Sequence, residues 1–113
     1  MGVSQIAEDV EAEDTKMVVI VFSRQAREDL VALRKFDQQR IYQAIQAQLA
    51  TDPGLETRNR KKLQPNKLAE WEMRVGDFRV FYDFVEAEER VQIIAIGRKE
   101  HERLFIQGKE FEL

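Results

Sequence analysis

The sequence predicts an α+β domain: an N-terminal strand, a helical hairpin, then a three-stranded antiparallel meander, with both helices packed on one face of the sheet. Three patterns predict it. A short β-branched run stands at Val18–Phe22. Two stretches of helical period follow, up to Asp52-Pro53-Gly54. Strict alternation then governs residues 70–84, with one more apolar run at Val91–Ile96. Helices that follow one strand and precede three form a separate layer on the sheet.

Each element has its own signal. Val18–Phe22 reads as a buried strand. Ser23 is placed to cap a helix by accepting a free backbone N–H. Ala26, Leu30, Leu33 and Phe36 supply its apolar side. Asp37 is placed to cap a second helix, in which Ile41, Ile45, Gln48 and Leu49 share a face. Residues 54–68 read as a polar, basic connection. Trp71, Met73 and Val75 then alternate with Glu70, Glu72 and Arg74. Gly76-Asp77 suits a two-residue hairpin turn, because glycine accepts the positive φ such turns need. Phe78, Val80, Tyr82 and Phe84 continue beyond it. Residues Glu86–Arg90 turn the chain, Val91–Ile96 is the last strand, Gly97 ends it, and a short tail follows.

A two-residue turn fixes the register. Val75 faces Phe78, Met73 faces Val80 and Trp71 faces Tyr82, giving the apolar side for the helices. The other side pairs Arg74 with Arg79, Glu72 with Phe81 and Glu70 with Asp83, and is expected to look to solvent or a ligand. Like charges opposite each other repel. Two neighbouring guanidinium groups suit a phosphate, while Glu70 and Glu72 could equally neutralise them as surface ion pairs. Phe81 on that side either stacks a base or lies under the C-terminal tail.

With 113 residues, one domain is expected. There is no cysteine, which excludes disulfides, thiolate metal sites and a cysteine nucleophile. One histidine, His101, cannot build a histidine-rich metal site. It is a surface residue or a general acid. No cofactor or metal is expected, and neither a glycine-rich phosphate loop nor a nucleophile-elbow motif occurs. No apolar run approaches a membrane span and the N-terminus is acidic, so a cytoplasmic protein is the expectation.

Net charge is −3 and uneven. Residues 1–16 carry −4, and the rest +1. This leader reads as a disordered acidic segment ahead of a domain at 17–113. Met17 offers a second possible start of translation. Basic residues bunch at Arg58, Arg60, Lys61, Lys62 and Lys67, and again at Arg98, Lys99 and Arg103. Such clusters suit phosphate contacts or simply form a solvated surface.

The run Arg60-Lys61-Lys62-Leu63, the segment Trp71–Asp83 (WEMRVGDFRVFYD) and Ile96-Gly97-Arg98-Lys99-Glu100 resemble the RelE/ParE superfamily of type II toxin–antitoxin toxins, nearer the RelE branch. The resemblance spans roughly residues 18–105. It implies a RelE-like fold and, for the RelE branch, ribosome-dependent mRNA cleavage. In that reaction the 2′-hydroxyl attacks the adjacent phosphate and a 2′,3′-cyclic phosphate is left, without a metal. It also implies a cognate antitoxin, with ribosome and mRNA as further partners.

Carried onto this sequence, Arg79 matches the phosphate-stabilising arginine, and Arg98 and Lys99 the basic residues after the last strand. Lys99 stands where the branch has arginine. Glu70 and Glu72 stand where the best-known members have catalytic lysines, and Phe105 where they have a catalytic tyrosine. Other members use a Glu–His pair, roles open here to Glu72 as base and His101 as acid. Arg74 would join Arg79 on the scissile phosphate. Arg60, Lys61, Lys62, Lys67, Phe81, Arg98 and Arg103 would hold RNA. A ParE-like inhibitor of DNA gyrase and an inactive toxin-fold binding protein are the alternatives.

Overall fold

The computed structural model describes residues 18–113. The acidic leader lies outside them. The elements are β1 (Val19–Phe22), α1 (Arg24–Val31), α2 (Lys35–Leu49), β2 (Arg60–Lys62), β3 (Trp71–Val75), β4 (Phe78–Val85), β5 (Arg90–Glu100), β6 (Arg103–Ile106) and β7 (Lys109–Phe111). One seven-stranded sheet runs β2-β3-β4-β5-β6-β7, and β1 joins it beside β5. The expected meander is β3-β4-β5, and both helices cover one face.

β1 pairs with β5 in parallel, Val19 opposite Arg90 through Phe22 opposite Ile93. The strand is not buried on both sides as expected. Ile20 and Phe22 pack against the core, whereas Val19 and Val21 remain 62% and 39% exposed. Alternation explains this, since only one side of a strand meets the helices.

Ser23 caps α1, its Oγ accepting the Ala26 amide at 3.0 Å. The same hydroxyl donates to the Ile94 carbonyl at 2.9 Å and so ties the cap to β5. α2 begins at Lys35, two residues before the expected cap. Asp37 lies within its first turn, where a carboxylate favours the positive end of the helix dipole, and its Oδ2 is 3.3 Å from Arg34 Nε. Ile41, Ile45 and Leu49 are fully buried on the sheet-facing side. Burying each such side chain contributes about 1.5–3 kcal/mol.

The β3–β4 register is the expected one, from Val75 opposite Phe78 to Trp71 opposite Tyr82. These six residues form the main core with α2. Trp71 and Tyr82 stack at 5.9 Å between ring centroids. Gly76 takes a φ of +60° at the turn.

Three expectations fail around the sheet's other side. The connection 54–68 contains a strand, β2, which pairs with β3. Gly97 does not end β5, which continues to Glu100 because β6 pairs with its last residues. The tail is a hairpin, β6–β7, turning at Gln107 and Gly108, both at positive φ. Leu104, Ile106 and Phe111 of this hairpin, with Leu63, Leu68 and Ala69, bury Phe81 and Ala95 in a second apolar cluster. Half of the side expected to face solvent is therefore a second core. Among the described residues no helix is long and apolar enough to cross a membrane.

Candidate nucleic-acid interface

What remains open on that side lies beside the β3–β4 turn. Arg74 and Arg79 are direct cross-strand partners there. Arg74 is exposed, and no hydrogen bond or ion pair holds its side chain among the described residues. Arg79 is folded back: its Nη1 donates to the carbonyls of Gly76 and Phe78, each at 2.9 Å. Its Nε lies 3.9 Å from Glu72 Oε2. Burial lowers the Arg79 pKa from the ordinary arginine value; Glu72 opposes the shift, Arg74 adds to it and Asp77 opposes it. Arginine keeps its charge at neutral pH regardless. The result is a positioned guanidinium beside a free one.

Glu72 is a buried residue, 7% exposed, opposite Phe81 and Lys61. Its Oε2 sits 4.0 Å from Lys61 Nζ and 3.9 Å from Arg79 Nε. Lys99 lies on β5 opposite Leu104, two residues past Gly97, the partner of Arg79. Strand alternation puts its side chain on the same side as Arg79. Arg74, Arg79, Lys61, Lys99 and Glu72 are thus brought onto one side of the sheet.

The other candidates are dispersed. His101 is exposed, in the turn after β5, with φ +50°. Glu72 lies opposite Phe81, which pairs with Ala95; His101 is six residues further along, roughly 20 Å at strand rise. The fold does not bring together the expected base and acid. Arg60 is a correction too. It is 7% exposed, and its Nη1 donates to the carbonyls of Gln48 at 2.9 Å and Asp52 at 3.0 Å. Its charge satisfies the end of α2 and is not presented to a ligand, because its position in β2 points under the helices. Phe81 is fully buried, so no base can stack on it.

Lys62 and Lys67 are exposed on the segment 60–70, and Lys62, opposite Trp71, points to the other side of the sheet from Lys61. Arg103 is exposed on β6, 3.8 Å from Glu110. Arg98 lies over the Phe78 ring, 4.7 Å from its centroid, a cation–π contact. It lines a cavity of about 620 Å³ with Leu33, Phe105 and Gln107. Phe105 opposes Arg98 and so faces away from Arg79.

Arg40, on α2, was not singled out in the sequence. A Cβ on Gly76 would collide with Arg40 Nη2, so the Arg40 guanidinium rests directly against the β3–β4 turn. The signal that could have found it is the helix period: position 40 precedes the buried Ile41 and flanks the core stripe.

The fold and parts of the sequence have known counterparts. The chain is similar to the toxin–antitoxin complex RelBE2 from Mycobacterium tuberculosis: TM-score 0.64, 20% identity, 74% of this chain and 99% of that one covered. It is similar to the archaeal RelE–RelB complex from Pyrococcus horikoshii, with TM-score 0.62, 18% identity and coverage of 75% and 98%. The Escherichia coli RelBE complex follows at TM-score 0.51 and 15% identity, with coverage of 74% and 99%. At these identities the likeness is one of fold. No curated protein matches the sequence. The family described as the ParE toxin of the type II toxin–antitoxin system parDE matches residues 20–103. That match spans β1 to the start of β6, and the chain therefore belongs to the RelE/ParE superfamily of type II toxin–antitoxin toxins.

Proposed function

We propose that this toxin inhibits translation by cutting mRNA on the ribosome, with Arg74 and Arg79 gripping the scissile phosphate. The observation that carries the reading is the cross-strand arginine pair, one member exposed and without a partner among the described residues, the other fixed against the turn carbonyls. A like-charged pair is unfavourable without an anion. A phosphate accepts paired N–H bonds from such groups. Preorganised cations aimed at developing charge are a large source of rate acceleration.

The reaction balances with residues of this one side. Glu72 takes the proton of the 2′-hydroxyl as the 2′-oxygen bonds to phosphorus. Arg79 and Arg74 hold the phosphorane oxygens. The bond from phosphorus to the 5′-oxygen breaks, and Lys99 gives that oxygen its proton. Lys61 holds the neighbouring strand of RNA, and Lys62, Lys67, Arg98 and Arg103 support ribosome contact from outside the pocket. His101 has no role. The test is a programmed translation system with purified protein: mRNA cut at the ribosome supports the reading, and intact mRNA at molar excess of toxin removes it.

A second reading is a toxin that only binds, as in ParE-like gyrase inhibition. It is favoured by Glu72, already engaged by Lys61 and Arg79, and by phenylalanine at position 105 facing the other way. Inhibition of gyrase supercoiling with mRNA left intact would select it.

Under either reading a cognate antitoxin neutralises the protein. β1 offers the docking edge: it pairs with β5 alone among the described strands, and exposed Val19 and Val21 lie along it. An extended antitoxin segment would add there as a strand. Residues 17–113 are taken as the toxin domain, acting in the cytoplasm, with 1–16 as an appended leader.

A further inference from the structure

The β3–β4 turn separates two groups of arginines. Arg74 and Arg79 lie on the side away from the helices. Arg40 comes from α2, which packs on the opposite side. Its guanidinium lies against Gly76, whose carbonyl accepts Arg79 Nη1 at 2.9 Å. Two guanidinium groups thus meet one glycine, from its Cα and from its carbonyl. Arg98 is on the helix side as well, over Phe78, the residue that closes the turn.

Among the described residues no hydrogen bond or ion pair holds Arg40. An exposed arginine in a helix ordinarily reaches into water or pairs with a carboxylate. This one lies at a tight turn with three other arginines nearby, against two acids, Asp77 in the turn and Glu72 3.9 Å from Arg79. The arrangement accumulates positive charge on both sides of one hairpin tip, which is unfavourable unless a polyanion neutralises it.

We propose that the RNA strand does not stop at the Arg74–Arg79 pair but continues around the β3–β4 turn onto the helix side, where Arg40 holds a further phosphate. Gly76 has a second role in this site. A side chain there would displace the Arg40 guanidinium from the turn. The inference rests on the reading of Arg74 and Arg79 as an RNA-phosphate site and extends it to a residue outside the resembling motifs.

The test uses the full chain and two probes: a short single-stranded RNA oligonucleotide and ribosomes programmed with mRNA. Arg40→Ala removes the cation at an exposed helical position where alanine is well tolerated. Gly76→Asn keeps Arg40 but evicts it, and asparagine accepts the positive φ of 60°. Arg27→Ala removes an equal charge from the exposed surface of α1 and serves as control.

Arg40→Ala and Gly76→Asn are each expected to weaken binding by roughly three- to tenfold. The slope of log affinity against log salt should fall by about 0.7 for one lost phosphate contact. Arg27→Ala should stay within about twofold of wild type. Loss with both probes supports one continuous strand; loss on ribosomes alone places Arg40 on ribosomal RNA and overturns the continuous path. Unchanged binding of Arg40→Ala overturns it, as does equal loss in Arg27→Ala, or a wild-type protein that binds neither probe. Cleavage is read on the same samples. An Arg40 effect on binding without cleavage removes the endonuclease reading and leaves this inference standing. Cleavage without an Arg40 effect on binding does the reverse.

Discussion

Asp29 Oδ2 accepts the Ile96 backbone amide at 2.9 Å, joining α1 to β5 across 67 residues of sequence. The bond fills a gap in the sheet. β1 ends at Phe22, opposite Ile93, and β6 begins its pairing at Arg98. Between them the β5 edge has no neighbouring strand among the described residues. Ser23 Oγ donates to the Ile94 carbonyl, and Asp29 Oδ2 accepts the Ile96 amide. Asp29 also accepts from Gln25 at 2.7 Å and from Gln107 at 2.5 Å, so it holds the tail hairpin too. Asp29→Ala would leave a buried N–H without a partner. It should cost about 2–4 kcal/mol, read as a lower urea midpoint at unchanged slope. Asp29→Asn keeps one acceptor and should cost less.

Arg60 supports the end of α2. Arg60→Met keeps much of the side-chain bulk but abandons the Gln48 and Asp52 carbonyls. Stability should fall by about 1–3 kcal/mol. RNA affinity per folded molecule should hardly change, in contrast to Lys61→Met. A parallel loss of affinity in a fully folded Arg60→Met protein would contradict its structural assignment.

Tyr82 sets an alkaline limit. Burial pushes its hydroxyl up from 10.0 to about 12, with Arg60 opposing through charge and hydrogen bonding. The hydroxyl donates to the Pro53 carbonyl at 2.9 Å. The folded state therefore holds this proton more tightly than the unfolded chain. Its contribution is complete below pH 10 and is lost as pH rises through about 12. Two units correspond to about 2–3 kcal/mol. Tyr82→Phe should lose about 1 kcal/mol at neutral pH. Its stability should also fall less steeply than wild type between pH 10 and 12, measured by chemical unfolding across that window.

The arginine pair and Glu72 separate catalysis from binding. Under the endonuclease reading, Arg79→Ala should reduce ribosome-dependent cleavage by about 100-fold or more, and Arg74→Ala by about tenfold. Glu72→Gln should abolish most cleavage while leaving ribosome affinity within about threefold, since the loss of a base acts on the chemical step. His101→Ala should cleave like wild type. Substantial loss in His101→Ala, with the fold intact, would show that the placement of His101 in this conformation is not the reactive one.

Gly97 decides the packing of the tail. A Cβ there would lie 2.8 Å from the Phe105 carbonyl oxygen and 2.9 Å from a Leu104 methyl. The backbone atom has little freedom to move, so Gly97→Ala should cost about 1–3 kcal/mol. Loosening of β6–β7 should appear as faster amide exchange at Leu104 and Ile106.

The sequence by itself determined the fold class, the two helices, the β3–β4 register and the pairing of Arg74 with Arg79. These rest on local rules: a period of two, a period near 3.6, a two-residue turn and a helix cap. Tertiary structure decided what covers each surface. Leu104, Ile106 and Phe111 are too few and too interrupted to announce a strand pair, yet they bury Phe81 once β6 adds to β5. Arg60 and Lys61 are indistinguishable as sequence, but neighbouring strand positions point to opposite sides, so one enters the core region and the other stays in water. Arg40 meets Gly76 only because the guanidinium of a helix residue reaches a hairpin tip, and Glu72 and His101 stay apart because they sit far from each other along strands that β4 separates. Proximity between residues distant in sequence depends on how elements pack, and no local period encodes it.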